Sequence, residues 1–150
     1  MKSLFNPADN KEIIERLNRL TSSTPAQWGK MNVSQMITHC QAPLNLALGN
    51  VKAKKNILGL LFGSIIKKMV VDNDKPFKKD LPTDKTFIIK NTPEFEKVKN
   101  ELIVLIGKFS NTDPEAFSKD RHPIFGKLTR ADWDKLTWKH LDHHLRQFGV

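Results

Sequence analysis

Thr129 to Val150 reads TRADWDKLTWKHLDHHLRQFGV, and its spacing is that of a single amphipathic helix. Thr129 followed three residues later by Asp132 makes a capping-box-like start: the hydroxyl can accept from a first-turn amide, and the carboxylate sits at the positive helix end. At about 100° per residue, Trp133, Leu136, Leu141, Leu145 and Phe148 share one broad face, and His140 and His144 each fall about 20° from Trp133 on that face. Two imidazoles therefore point inward one turn apart.

Burying a neutral imidazole is costly without a hydrogen-bond partner or a metal. One divalent ion serves both rings economically, because residues at i and i+4 have Cβ atoms about 5–6 Å apart and nitrogen–metal bonds are about 2.1 Å long. His143 lies about 60° from His140 and about 100° from His144 on the wheel, at the polar edge, and is not expected to be a ligand. A catalytic site normally takes three protein ligands and keeps a position open. The remaining histidines are His39 and His122, and a carboxylate is an equal candidate at this level.

Outward from that helix, the 150 residues are expected to form one domain, 1–150, with a real core. The N-terminus, MKSLFNPADNKE, has no apolar run of the signal-peptide kind, and the longest apolar stretch, Ile57 to Ile66, falls short of the ~18 residues that cross a bilayer. A cytoplasmic protein is the expectation. Cys40 is the single cysteine, which excludes an internal disulfide and a cysteine-based zinc knuckle. Of the net charge of +9, +6 falls between Gly49 and Lys79, where eight Lys stand against two Asp. That stretch has no Arg and few aromatics, unlike nucleic-acid modules. It reads as a solvated, lysine-rich connection, and nucleic acid is not an expected partner.

Asn6-Pro7 predicts a helix start, with Ile13, Ile14, Leu17 and Leu20 at helical spacing to about Leu20. Thr21 to Gly29 reads as a loop whose Trp28 plugs the core. Asn32 or Ser34 caps a second helix with the stripe Val33, Ile37, Cys40, Leu44 and Leu48, stopped by Gly49. His39 lies on this helix about 120° from the middle of that stripe; Met36, Pro43 and Ala47 widen the buried face towards it. Pro43, lacking an amide, leaves the His39 carbonyl without its helical partner. A long connection follows from Val51 to Asn91, with one short helix over Ile57–Val71 ending near Lys67–Lys68 and extended chain at Phe77, Pro82 and Phe87–Ile89. Thr92-Pro93-Glu94 opens a helix to about Phe109, as cap, proline and acid in order, and Asp113-Pro114-Glu115 starts a brief turn. The pattern is all-α: a four-helix bundle with a long crossover between its second and third long helices.

The residues Met36 to His39 on the second helix and His140-x-x-His143-His144-x-x-Gln147 on the last resemble the DinB-like, or YfiT-like, metalloenzyme superfamily. The run HPIFGKLTRADWDKLTWKHLDHHLRQFG looks like a subfamily described as a domain of unknown function. The resemblance implies a four-helix bundle in which one His of the second helix and two of the fourth hold a divalent metal; carried over, these are His39, His140 and His144. It also implies thiol-dependent S-transferase or isomerase chemistry with glutathione, mycothiol or bacillithiol, and a homodimer.

A three-imidazole set leaves an ion's 2+ charge uncompensated, which lowers the pKa of a coordinated water or thiol. Such a set favours Zn or Ni, with Fe, Mn or Cu also within its range, over Mg or Ca. Gln147, one turn beyond His144, is placed to hydrogen-bond a ligand ring or the substrate. The expected activity is metal-assisted attack by a thiolate or hydroxide on a small electrophilic molecule, a transferase or hydrolase. The alternative is a non-catalytic module of the same fold, with a structural metal or none, whose lysine-rich connection contacts an anionic partner or membrane surface. His122 is expected to fix a turn before Pro123, and Cys40 to be a small buried apolar residue. Asp72-Asn73-Asp74 fails as a calcium loop, because Phe77 and Thr83 stand where Gly and Glu are needed.

Overall fold

Asn6 opens helix α1 (Pro7–Asn18) as its spacing predicts, its side chain accepting from the amides of Ala8 and Asp9. The computed structural model describes residues 2–52, 57–73, 75–79 and 87–150. Among these the chain is all-helical: α1 is followed by α2 (Val33–Ala47), α3 (Ile57–Val70), α4 (Phe95–Asn111), a 3-10 turn (Pro114–Ala116) and α5 (Arg130–Gln147). The only pairing of extended chain among them is an isolated bridge between His122 and Gly126.

Helix α2 begins in a full capping box, Asn32 accepting from the Gln35 amide while Gln35 accepts from the Asn32 amide. Asn32→Ala should therefore cost roughly 1 kcal/mol, read as a lower midpoint in chemical unfolding with an unchanged slope. Helix α5 opens in the box expected at Thr129 and Asp132. The start of α4 differs from expectation. Its cap is Glu94, whose carboxylate accepts from the amides of Glu96 and Lys97, while the Thr92 hydroxyl accepts from Asn32 Nδ2 at 3.0 Å. A charged acceptor at the positive helix end outcompetes a hydroxyl, so the helix starts two residues later. Helix α3 continues past Lys67–Lys68 to Val70. Of the extended segment, Ile88 and Ile89 lack regular structure, and Pro82 lies outside the described residues.

Helix α2 packs on α4 and α5, and α1 packs on the same two helices. The core between them is built from Ile13 and Leu17 of α1, Ile37 and Leu44 of α2, Leu102, Ile106 and Phe109 of α4, and Trp133, Leu141 and Leu145 of α5. Each has the 3.6-residue spacing that puts it on the inward stripe of its helix. The N-terminal segment is tied to α5 through Asp134, which accepts from Ser3 Oγ at 2.6 Å and the Leu4 amide at 2.8 Å. Buried Arg16 of α1 reaches Asp142 of α5 at 2.9 Å. Cys40 is fully enclosed, with Sγ 3.7 Å from Met36 Sδ, and burial pushes its thiol pKa up. A thiol in that state is a packing group and not a nucleophile.

Helix α3 lies outside this core and runs over the turn formed by residues 122–126. Gly59 and Gly63 make the contact: a Cβ on Gly59 would stand 1.8 Å from the Pro123 carbonyl oxygen, and one on Gly63 2.8 Å from the Gly126 nitrogen. Lys67 bridges to Asp132 at 3.0 Å, and buried Lys139 of α5 donates to the carbonyls of Val70 and Asn73 at 2.6 and 2.9 Å. The lysine-rich connection is thus partly a set of specific anchors, where the sequence suggested a solvated strap.

Candidate metal centre

His39, His140 and His144 converge on one point. Each offers a ring nitrogen, and these nitrogens all lie within 4.8 Å of one another. His39 comes from α2 and the other two from successive turns of α5, so the cluster spans the contact between those helices. His39 Nε2 and His140 Nε2 are 3.0 Å apart. Two imidazole nitrogens bound tetrahedrally to one ion at about 2.1 Å would be separated by roughly 3.4 Å, so shifts of a few tenths of an ångström seat an ion against this pair.

The hydrogen bonds around the cluster settle where two of the protons sit. His39 Nδ1 is 3.1 Å from the Phe87 carbonyl oxygen, which can only accept, so His39 carries its proton at Nδ1 and presents a lone pair at Nε2. Gln147 Nε2 donates to the Trp28 carbonyl at 2.7 Å, which leaves Gln147 Oε1 to accept from His144 Nδ1, also at 2.7 Å. His144 then has its lone pair at Nε2. Fixing one ring nitrogen as a donor so that the other can ligate is the usual outer arrangement of metal-bound histidine. The third ring has no such support: His140 Nδ1 is buried without a partner.

All three rings are held neutral. Burial lowers the pKa of His39 against the opposing effect of its bond to Phe87. Burial, reinforced by the neighbouring His144 and His39, takes His140 well below the ordinary value. His144 falls to about 3, mainly through burial and then through His39, although its bond to Gln147 works the other way. Neutral imidazole is the form that binds a metal.

The cluster lines a cavity of about 260 Å³ whose walls are mostly apolar, with Trp28, Met31, Phe77, Phe87, Phe125 and Leu136 around it. Among the described residues no carboxylate lines it. A cation lies nearby: Lys79 Nζ is 4.4 Å from the centre of the Trp28 ring. Trp28 is half-buried at this cavity and is not the core plug its sequence context suggested. His143 also lines the cavity, edge-on to Trp28 at 5.8 Å between ring centres. His122 fixes its turn as expected, Nδ1 accepting from the amides of Ile124 and Phe125 at 3.1 and 3.3 Å, and its side chain borders the same cavity.

Two supports escaped the sequence reading. The Phe87 carbonyl lies 48 residues beyond the histidine it orients, and no local pattern marks it. The Trp28 carbonyl did leave a signal in the glycine after it. Gly29 has φ +81, and a Cβ there would stand 2.4 Å from Gln147 Nε2, so only glycine lets this turn close on the glutamine side chain.

A family model described as a protein of unknown function (DUF1569) matches residues 3–149. No curated protein and no solved structure matches the chain.

Proposed function

The chain belongs to the DUF1569 family of proteins of unknown function, and from that starting point we propose that it is a metal-dependent enzyme whose His39, His140 and His144 hold one divalent transition ion for thiol or water attack on a small electrophile. The observation that carries this reading is the convergence of three neutral imidazoles, two with their tautomers fixed from behind, on one apolar cavity. Such an ion supplies a Lewis acid that lowers the pKa of a thiol or water towards neutrality.

The protein's own groups do the rest. Phe87 and Gln147 hold protons at Nδ1 of His39 and His144, so both Nε2 lone pairs stay aimed at the site. The apolar walls keep bulk water from the reacting groups and strengthen every charge interaction inside. Without a carboxylate among the described lining residues, the site keeps net positive character once a 2+ ion enters, and an anionic nucleophile is favoured there. An all-nitrogen donor set suits Zn or Ni, then Fe or Mn. We read the four packed helices as a DinB-like bundle forming one domain, in keeping with the resemblance in its histidine motif, and take a low-molecular-weight thiol as the co-substrate class.

Elemental analysis of untagged protein purified without chelator tests this reading. About one transition ion per chain is the expected result. Protein that carries none, and takes up none after incubation with Zn or Ni, would sink it.

A further inference from the structure

Helix α3 is turned with its apolar side outward. Placing its residues at about 100° intervals puts Gly59, Gly63 and Val70 on one side, and both glycines are buried against residues 123–126. On the opposite side Ile57, Leu61, Ile65 and Met69 follow one another at every fourth position, and they are 75, 64, 58 and 69% exposed. Leu60 and Phe62 flank that row and are exposed as well. Single exposed apolar residues are ordinary, but a contiguous ridge of six on one helix face marks a contact surface.

The charge around the ridge narrows what can cover it. Lys68 is exposed on the same face, and Lys52, Lys75, Lys78 and Lys79 are exposed in the flanking chain. From Arg16 to Val71 the sequence contains no Asp or Glu. A second copy of the chain meeting this face about a two-fold axis would set an excess of lysines against their own equivalents, and Asp72, the described carboxylate beside them, already pairs with Lys67. An anionic lipid surface accepts both features, apolar side chains entering the acyl boundary while lysines reach the headgroups. The helix has 14 residues, about 21 Å at 1.5 Å per residue, which suits lying in the plane of a bilayer whose hydrocarbon layer is about 30 Å thick. No described helix is long and apolar enough to cross a membrane.

We propose that the outward ridge of α3, with its flanking lysines, docks the protein onto an anionic lipid surface. The ridge inserts to side-chain depth, and the protein-facing glycine side keeps its place on residues 123–126. Docking is independent of the metal, so its failure leaves the reading of the histidine cluster untouched.

The experiment is flotation of the full chain with vesicles of phosphatidylcholine alone and of phosphatidylcholine mixed in equal parts with phosphatidylglycerol, at low and raised salt. Binding to the anionic vesicles should exceed binding to the neutral ones by about tenfold and weaken as salt rises. Leu61→Glu combined with Ile65→Glu, shown folded by circular dichroism, should abolish it. Equal flotation of the double variant and the unaltered protein would overturn the proposal. So would absence of the unaltered protein from anionic vesicles. A dimer that the double variant converts to monomer, with no vesicle binding, would assign the face to a second copy instead.

Discussion

Under the proposed reading, alanine at His144 should abolish metal uptake while leaving the protein folded. The ring is buried at 8% exposure, and its Nδ1 is held by Gln147. Its removal takes a third of the donor set and leaves Gln147 Oε1 without its partner. Loss of an outer hydrogen-bond partner typically lowers metal affinity by roughly 10–100-fold, and loss of the ligand itself should exceed the upper end of that range. Alanine at His140 should do the same. Gln147→Ala, which frees the His144 ring to rotate and abandons the bond to Trp28, should fall within the 10–100-fold range. His143→Ala is the discriminating control: the ring lines the same cavity beside His144 but stands outside the converging set, so its loss should leave stoichiometric metal. Competition titration against a chromophoric chelator reads all four variants. Equal affinity in His143→Ala and His144→Ala proteins would mean that the three-histidine cluster is not the binding site.

Acidification should destabilise the protein, held in chelator, as soon as pH falls below the ordinary histidine range. An unfolded histidine takes up a proton at a pKa of about 6.5, whereas burial keeps His39 and His140 below that and His144 near 3 in the folded protein. Between those values the unfolded chain binds more protons than the folded one, so stability is full above about pH 6.5 and declines as pH falls. At 1.36 kcal/mol per unit, His144 alone should cost about 2 kcal/mol between pH 6.5 and pH 5. His39 and His140 add in the same direction. Two buried carboxylates act near this window with opposite signs: burial raises Asp134, so its protonation favours the folded protein as pH falls, whereas Asp132 is lowered. Burial would raise it, but the hydrogen bonds from Thr129 and Lys67 prevail and hold it below its ordinary value, so its contribution is lost only at lower pH. Chemical unfolding at pH 7, 6 and 5 in the presence of chelator checks the slope. A midpoint unchanged across that range would show that the three rings are solvated and not the dry cluster described here.

Helix ends were the most legible part of this chain. Asn6, Asn32 and Thr129 each cap the helix their local sequence predicts, because a cap is decided by side chains within three residues of the end. Thr92 misled because the competing acceptor, Glu94, lay within the same turn. The two histidines of α5 could be placed together from helical geometry. His39 could not: its position on the wheel sits off the main stripe, and its burial depends on Phe87 and on α5, both distant in sequence. The cavity was the least legible feature. Phe77, Phe87, Ile124 and Phe125 reach it from connections, where no periodicity links a residue to the surface it faces. Helix α3 was legible as a helix and illegible in its orientation. An apolar row shows that one side is special, but the side that meets the protein was marked by two glycines four residues apart.

Those glycines also have a bearing on states the chain must avoid. A helix as apolar as α3 has every reason to roll over and bury Ile57, Leu61, Ile65 and Met69 against the body of the protein. The groove above residues 123–126 is only as deep as a residue without a side chain allows, so the rolled helix would wedge four large side chains where no volume exists for them. Shallowness of the groove therefore selects the orientation together with the anchors from Lys67 to Asp132 and from Lys139 to the Val70 carbonyl. The atoms that set this depth belong to the backbone of residues 123–126, so truncating a side chain on that turn would not open room for the inverted helix, and the ridge stays outward.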